Sequence, residues 1–344
     1  MTKNKDIIQP WPEWVSCDDV ILWNTTRLSR NISGYRFPIA SNAEQNQKIY
    51  KMLSDTVREV FFGGDFIELA ETDFEYRKLL RDRFLIDTYM VSNPFSSGVI
   101  VSQLQDYGID INSTSHLVFF SIEGGNISRD KIDAEILQAE EIGQDFPYAF
   151  LDDFGYLTPL LEECGTGLKI SLYLRLPGFL LLGKFSELRD FAEENDLDIL
   201  PHSFGEDNLF GTGIFCLNNM HTFGMNIESL IEQMEKAKNE IVEMEREYRA
   251  IVFEESRDSL EEKIMQTVGM LKYSKRISNN YFGKMLFSIM LGIELGILPI
   301  SMDEVIQAAF SLSSNYIDVN YPNKDSDLIK QIRAKTLQNL LQNI

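Results

Sequence analysis

Lys169-Ile170-Ser171-Leu172-Tyr173-Leu174-Arg175-Leu176 is the stretch that decides the fold class. Ile170, Leu172, Leu174 and Leu176 recur at every second residue, which predicts a half-buried β-strand. Working outward, Val99 to Leu104, Leu117 to Ile122 and Gly213 to Leu217 read as further short strands. Asn42 to Val60 places Ile49, Leu53, Val57 and Val60 at helical spacing, and Lys184 to Glu194 also reads as a helix. Val20 to Trp23 is a short apolar run followed by a polar loop, Asn24 to Arg30; Arg83 to Met90 fits either a strand or a helix end. Strands and helices mix without regular βαβ spacing. That predicts an α+β fold with an antiparallel or mixed sheet flanked by helices.

Beyond about Asn226 the pattern changes. Ile227, Leu230, Ile231, Met234, Ala237, Ile241, Met244, Tyr248 and Ile251 form the apolar stripe of a long amphipathic helix. Further helices are predicted over Ser259 to Leu271, Asn280 to Leu295, Met302 to Ser311 and Ser326 to Gln342, with Gly296 and Pro299 closing one of them. The expected division is a domain at 1–255 and an all-α domain at 256–344.

The 344 residues carry 53 Asp and Glu against 32 Lys and Arg, a net charge of −21. So acidic a chain repels phosphate backbones and anionic lipid, which argues against nucleic-acid and membrane-surface partners. Cys17, Cys164 and Cys216 are odd in number and widely spaced, so they do not form a disulfide framework. With a polar start at Met1 to Gln9 and no apolar stretch long enough to span a bilayer, the expected location is cytoplasmic. His116, His202 and His221 lack metal-ligand spacing.

Several segments in order resemble the ATP:guanido phosphotransferases, and the bacterial protein arginine kinases in particular. Val20 to Asn31 is similar to the family's S-S-R-I-R-L-A-R-N segment, and Tyr35-Arg36-Phe37-Pro38 follows it. Gly155-Tyr156-Leu157-Thr158 and Gly165-Thr166-Gly167-Leu168 are similar to the G-Y-L-T and G-T-G-L pair. Phe204-Gly205-Glu206 resembles the loop ending in Gly-Glu, and Leu291 to Ile297 an element of the bacterial helical domain. The resemblance runs from about residue 11 to about residue 340.

It implies transfer of the ATP γ-phosphoryl to a guanidinium nitrogen, with Mg²⁺ and several arginines on the triphosphate and two carboxylates on the guanidinium. Carried over residue by residue, the first-segment arginines fall on Thr25, Arg27 and Arg30. The second motif retains a carboxylate at Glu123, and its arginine falls on Ile127. The cysteine loop falls on Leu160-Leu161-Glu162-Glu163, the arginine after G-T-G-L on Lys169, and that of the Gly-Glu loop on Pro201. Arg27, Arg30 and Lys169 are therefore the candidates for ATP, and Glu123 and Glu206 for the guanidinium. Taken alone, Arg27 and Arg30 could equally anchor a loop, Glu123 could be an ordinary strand-end carboxylate, and Gly165 to Gly167 a tight turn.

Each lost charge-assisted hydrogen bond costs about 1.5–3 kcal/mol. Three are missing, at Thr25, Ile127 and Pro201. The expectation is a catalytically degenerate relative that acts as a regulatory or arginine-side-chain-binding protein. The alternative is an active protein arginine kinase using replacement cations such as Arg129, Lys169 or Arg175. The resemblance also implies a homodimer, protein substrates rich in arginine, and a zinc-binding activator with a Clp-type protease. The bacterial R-D-x-x-R-A motif falls on Ser326 to Gln331 and is degraded.

Overall fold

The computed structural model describes residues 17–61, 63–202, 211–321 and 325–341. Strand β1 (Ile21–Arg30) lies centrally in an eight-stranded sheet with β2 (Asp65–Glu68), β3 (Gly98–Val101), β4 (Tyr107–Ile111), β5 (Leu117–Gly124), β8 (Leu168–Arg175), β9 (Leu197–His202) and β10 (Ile214–Asn219). The spatial order is β2-β3-β4-β5-β1-β8-β10-β9, and every pair is antiparallel. A two-stranded hairpin, β6 (Phe150–Leu151) and β7 (Gly155–Tyr156), stands apart from it.

One face of the sheet carries the main apolar core. Leu28, Phe119, Ile170, Leu172 and Leu174 pack with Ile49, Leu53 and Val57 of α1 (Ala43–Val60) and with Ile132, Ala139 and Ile142 of α4 (Arg129–Asp145). Leu188 and Ala192 of α6 (Phe185–Glu194), which follows the short α5 (Pro177–Leu181), complete that core with the first half of α7 (Ile227–Tyr273). The opposite face is divided. Phe120 and Ile122 pack with α2 (Phe74–Asp82) and α3 (Thr88–Ser92), whereas Trp23 and Tyr173 join the C-terminal helices. Those helices are α8 (Asn279–Glu294), α9 (Met302–Ser311), α10 (Ser314–Asn320) and α11 (Ser326–Leu340).

Two differences from the sequence reading have physical causes. Residues 24–30 are not a loop; they continue β1, with polar side chains on both faces that hide the alternation. The helices read separately over 226–252 and 259–271 are one helix of 47 residues, so a boundary at 255/256 falls inside α7. The charged run between them is helix surface, because residues there are mostly exposed but hydrogen-bonded in register. α7 serves both cores, the first through Leu230 to Val242 and the second through Val252 to Leu271. Arg175 of β8 and Glu294 of α8 form a buried ion pair at 3.0 Å that joins sheet to helices.

No helix among the described residues is long and apolar enough to cross a membrane. The three cysteines are free.

Candidate active site

Alternation along β1 and β8 sends Thr25, Arg27 and Ser29, with Lys169, Ser171 and Tyr173, to the face opposite the helix-covered core. There they line a cleft of about 520 Å³, closed on its far side by Arg81, Phe84, Asp87 and Glu163. Arg27 and Lys169 are paired positions of the two strands, so their charges are neighbours. A stacked pair, Trp23 and Tyr173 with centroids 4.7 Å apart, meets His202, Phe84 and Phe310 at one end of the cleft. Burial pushes the His202 imidazole down to about 4, so it contributes no positive charge at neutral pH.

Both arginines of the cleft already have a carboxylate. Arg27 is ion-paired with Asp110 of β4, a residue with no exposed surface. Burial lowers the Arg27 affinity for its proton, but Asp110 and Asp87 outweigh this and hold the guanidinium charged. Burial pushes the Asp110 carboxyl up to about 7 against the pull of Arg27. Arg81 pairs with Asp82 at 2.8 Å. Glu163 is raised by burial, with Lys169 and then Arg27 opposing the rise. Asp87 accepts from the backbone N–H of Met90 and of Thr114. Three cations, Arg27, Arg81 and Lys169, thus line the cleft with two carboxylates, Asp87 and Glu163, while Asp110 and Asp82 pair with the two arginines from outside its lining.

Of the residues singled out in the sequence, Arg27 and Lys169 come together here. Arg30 does not. It lies on the other face of β1, with its guanidinium carbon 3.6 Å above the Tyr156 ring. Glu123 is also outside the cleft, because it pairs with Asn24 and shares that strand's helix-side face. Its Oε1 accepts from Ser128 N–H at 2.7 Å, where α4 begins, and Lys131 lies 3.9 Å from Oε2. Phe204-Gly205-Glu206 lies outside the described residues.

Of the suggested replacement cations, Lys169 lines the cleft and the other two are engaged elsewhere. Arg129 pairs at the surface with Asp133 and Glu228, and Arg175 is committed to Glu294. Cys164 is buried against Thr158 and Leu160 and does not line the cleft. Arg81, Asp87 and Asp110 were missed in the sequence. No local motif marks them; strand pairing through β5 brings Asp110 to Arg27, and packing of α2 and α3 on the sheet brings Arg81 and Asp87.

A family model described as ATP:guanido phosphotransferase, C-terminal catalytic domain, matches residues 44–248. The chain belongs to the ATP:guanido phosphotransferase family. A protein-arginine kinase of Desulforamulus reducens is 24% identical over 307 residues, covering 87% of this chain and 86% of that protein. One from Bacillus subtilis is 25% identical over 284 residues, covering 81% and 78%. Among solved structures, the duplicated taurocyamine kinase of Schistosoma mansoni with bound transition-state-analogue components superposes with a TM-score of 0.59 at 18% identity. That match covers 72% of this chain and 36% of the duplicated enzyme, so the chain spans about a third of that protein. A lombricine kinase superposes with a TM-score of 0.55 at 16% identity, covering 69% of each chain. The superpositions agree with an antiparallel sheet flanked by helices and followed by a helical region.

ATP is the phosphoryl donor of the guanido phosphotransferases. In this cleft two of the three lining cations, Arg27 and Arg81, are already paired with Asp110 and Asp82, and Glu163 and Asp87 line it beside Lys169. The site is partly buried, so these charges are weakly screened.

Proposed function

We propose that this divergent guanido phosphotransferase relative has lost phosphoryl transfer and acts as a regulatory protein that binds arginine side chains. The Arg27–Asp110 pair carries this reading, because a guanidinium already matched to a buried carboxylate has little to offer a phosphate. The two carboxylates that line the cleft suit a cationic guest. Glu163 and Asp87 are the groups of the cleft placed to receive a guanidinium, in place of Glu123, with Glu206 as a further candidate.

A partner protein would present that arginine. The protein-arginine kinase relatives support a protein rather than a free metabolite as the guest. The family's zinc-binding activator and Clp-type protease define the class of partner to test. A homodimer through the C-terminal helices belongs to the same reading. Met265, Met270, Tyr273 and Tyr281 expose apolar surface there. Free cysteines fit a reducing, cytoplasmic setting. We retain the proposed division into a kinase-like domain and a helical domain, with α7 as the element common to both.

A second reading, an active protein arginine kinase, draws on Lys169 and Arg81 as cations in the same cleft. Incubation with γ-labelled ATP, Mg²⁺ and an arginine-rich protein separates the two. The proposed function predicts no acid-labile label on arginine. Label that disappears in Lys169→Met would establish the kinase.

A further inference from the structure

Arg30 is 4% exposed, and its Nη1 donates to the carbonyls of Ser29 at 2.8 Å and Thr166 at 2.9 Å. Among the described residues it has no ion-paired carboxylate. Burial pulls its pKa down to about 10, with the Tyr156 and Tyr148 hydroxyls opposing. Its hydrogen bonds go to neutral groups, and Glu140 is the one charge that acts on it from the cavity wall, so a buried guanidinium without a direct ion pair favours an anion as its next neighbour. A cavity of about 280 Å³ opens beside it, on the face of the sheet away from the cleft.

The cavity is built to hold something flat and apolar. Tyr148 and Tyr156 wall it together with Ile136 and Ala139 of α4. Tyr148 is fixed by donating to the Ala139 carbonyl at 2.7 Å. Gly143 makes room for that ring, since a Cβ there would meet it at 2.9 Å. With the Nη1 protons committed, Nε and Nη2 form the remaining edge of the guanidinium, which matches the two oxygens of a carboxylate. Glu140 also lines the cavity and opposes a second negative charge. The volume lies at the small end of ligand sites.

We propose that the Arg30 cavity is a binding site for a small monocarboxylate with a planar or branched apolar body, held by the guanidinium and packed against the walls formed by Tyr148, Ile136 and Ala139. This site is independent of the cleft and of the function proposed for it. Calorimetry on the full chain with sodium benzoate, and separately with inorganic phosphate, tests it. Saturable benzoate binding with a Kd at or below about 1 mM is expected, with phosphate weaker. Glu140→Gln should tighten benzoate several-fold, and Arg30→Met should abolish binding. Should Arg30→Met fail to fold, Ile136→Trp fills the cavity from its helix wall and should remove binding while the protein still melts cooperatively. No saturable benzoate binding, affinity unchanged by Glu140→Gln or by Ile136→Trp, or phosphate binding more tightly than benzoate would each overturn the proposal.

Discussion

Arg27 sits where a triphosphate contact is expected, yet the partner that defines its chemistry, Asp110, comes from a strand more than eighty residues away in sequence. Asp110→Asn should cost about 2–4 kcal/mol in a thermal or urea melt, because it leaves a largely buried guanidinium unpaired. We place this below the range for fully buried pairs since the Arg27 side chain keeps 23% of its surface. An unchanged melt would mean that the pair contributes nothing. Glu135 of α4 is a second buried carboxyl. It accepts from Thr26, its Oε2 has no hydrogen-bond partner, and burial raises it to about 7. A carboxyl raised on folding contributes stability that is fully present below the unfolded value, about 4.5, and lost as pH rises through about 7. Asp110 acts in the same direction, whereas His116 and His202, both pushed down to about 4 by burial, lose stability as pH falls below about 6.5. The Glu135→Gln variant removes one titration from this set. It should match the parent near pH 5 and exceed it by about 1–3 kcal/mol at pH 8. A gap that does not change with pH would contradict the assignment. Motif positions named Lys169 and Arg27, which the strand pairing sets side by side in the cleft, but could not show that Glu123 and Arg30 face the other side of the sheet, since neighbours along a strand alternate faces.

At the scale of elements, β8 was legible because one of its faces is purely apolar. The burial of its polar face was not, because the cleft and the C-terminal helices cover Ser171, Tyr173 and Arg175 from distant parts of the chain. β1 was half legible, its second half being polar on both sides. The helices α1, α8, α9 and α11 were legible in the sequence, α8 with its Gly296 and Pro299 stop, whereas the capping box of Ser301 and Glu304 that starts α9 was not read. α10 was too short and polar to stand out. The continuity of α7 through its charged middle is the element-scale finding with the sharpest consequence. Glu255 is exposed and should be indifferent to most substitutions, but Glu255→Pro removes a helix hydrogen bond and should cost about 3 kcal/mol. Limited proteolysis should spare 253–258 in the parent. Ready cutting there would indicate a linker instead of a helix.

Across the whole molecule, two cores share one sheet and one long helix, and the cleft lies on the face that both the α2–α3 segment and the C-terminal helices approach. Order and spacing of motifs made the family legible, because they survive the loss of individual residues. The electrostatic character of the cleft depends on pairings that only the folded chain creates, so it was not. Composition already leaned the same way: a net charge of −21 sets a repulsive background for any nucleotide. The central claim is that the site has turned from binding a triphosphate to opposing one. Calorimetric titration of the full chain with MgADP and MgATP tests it most directly. The account predicts no saturable heat at millimolar nucleotide. Saturable micromolar binding that is lost in Arg27→Met would contradict it and restore the cleft as a nucleotide site.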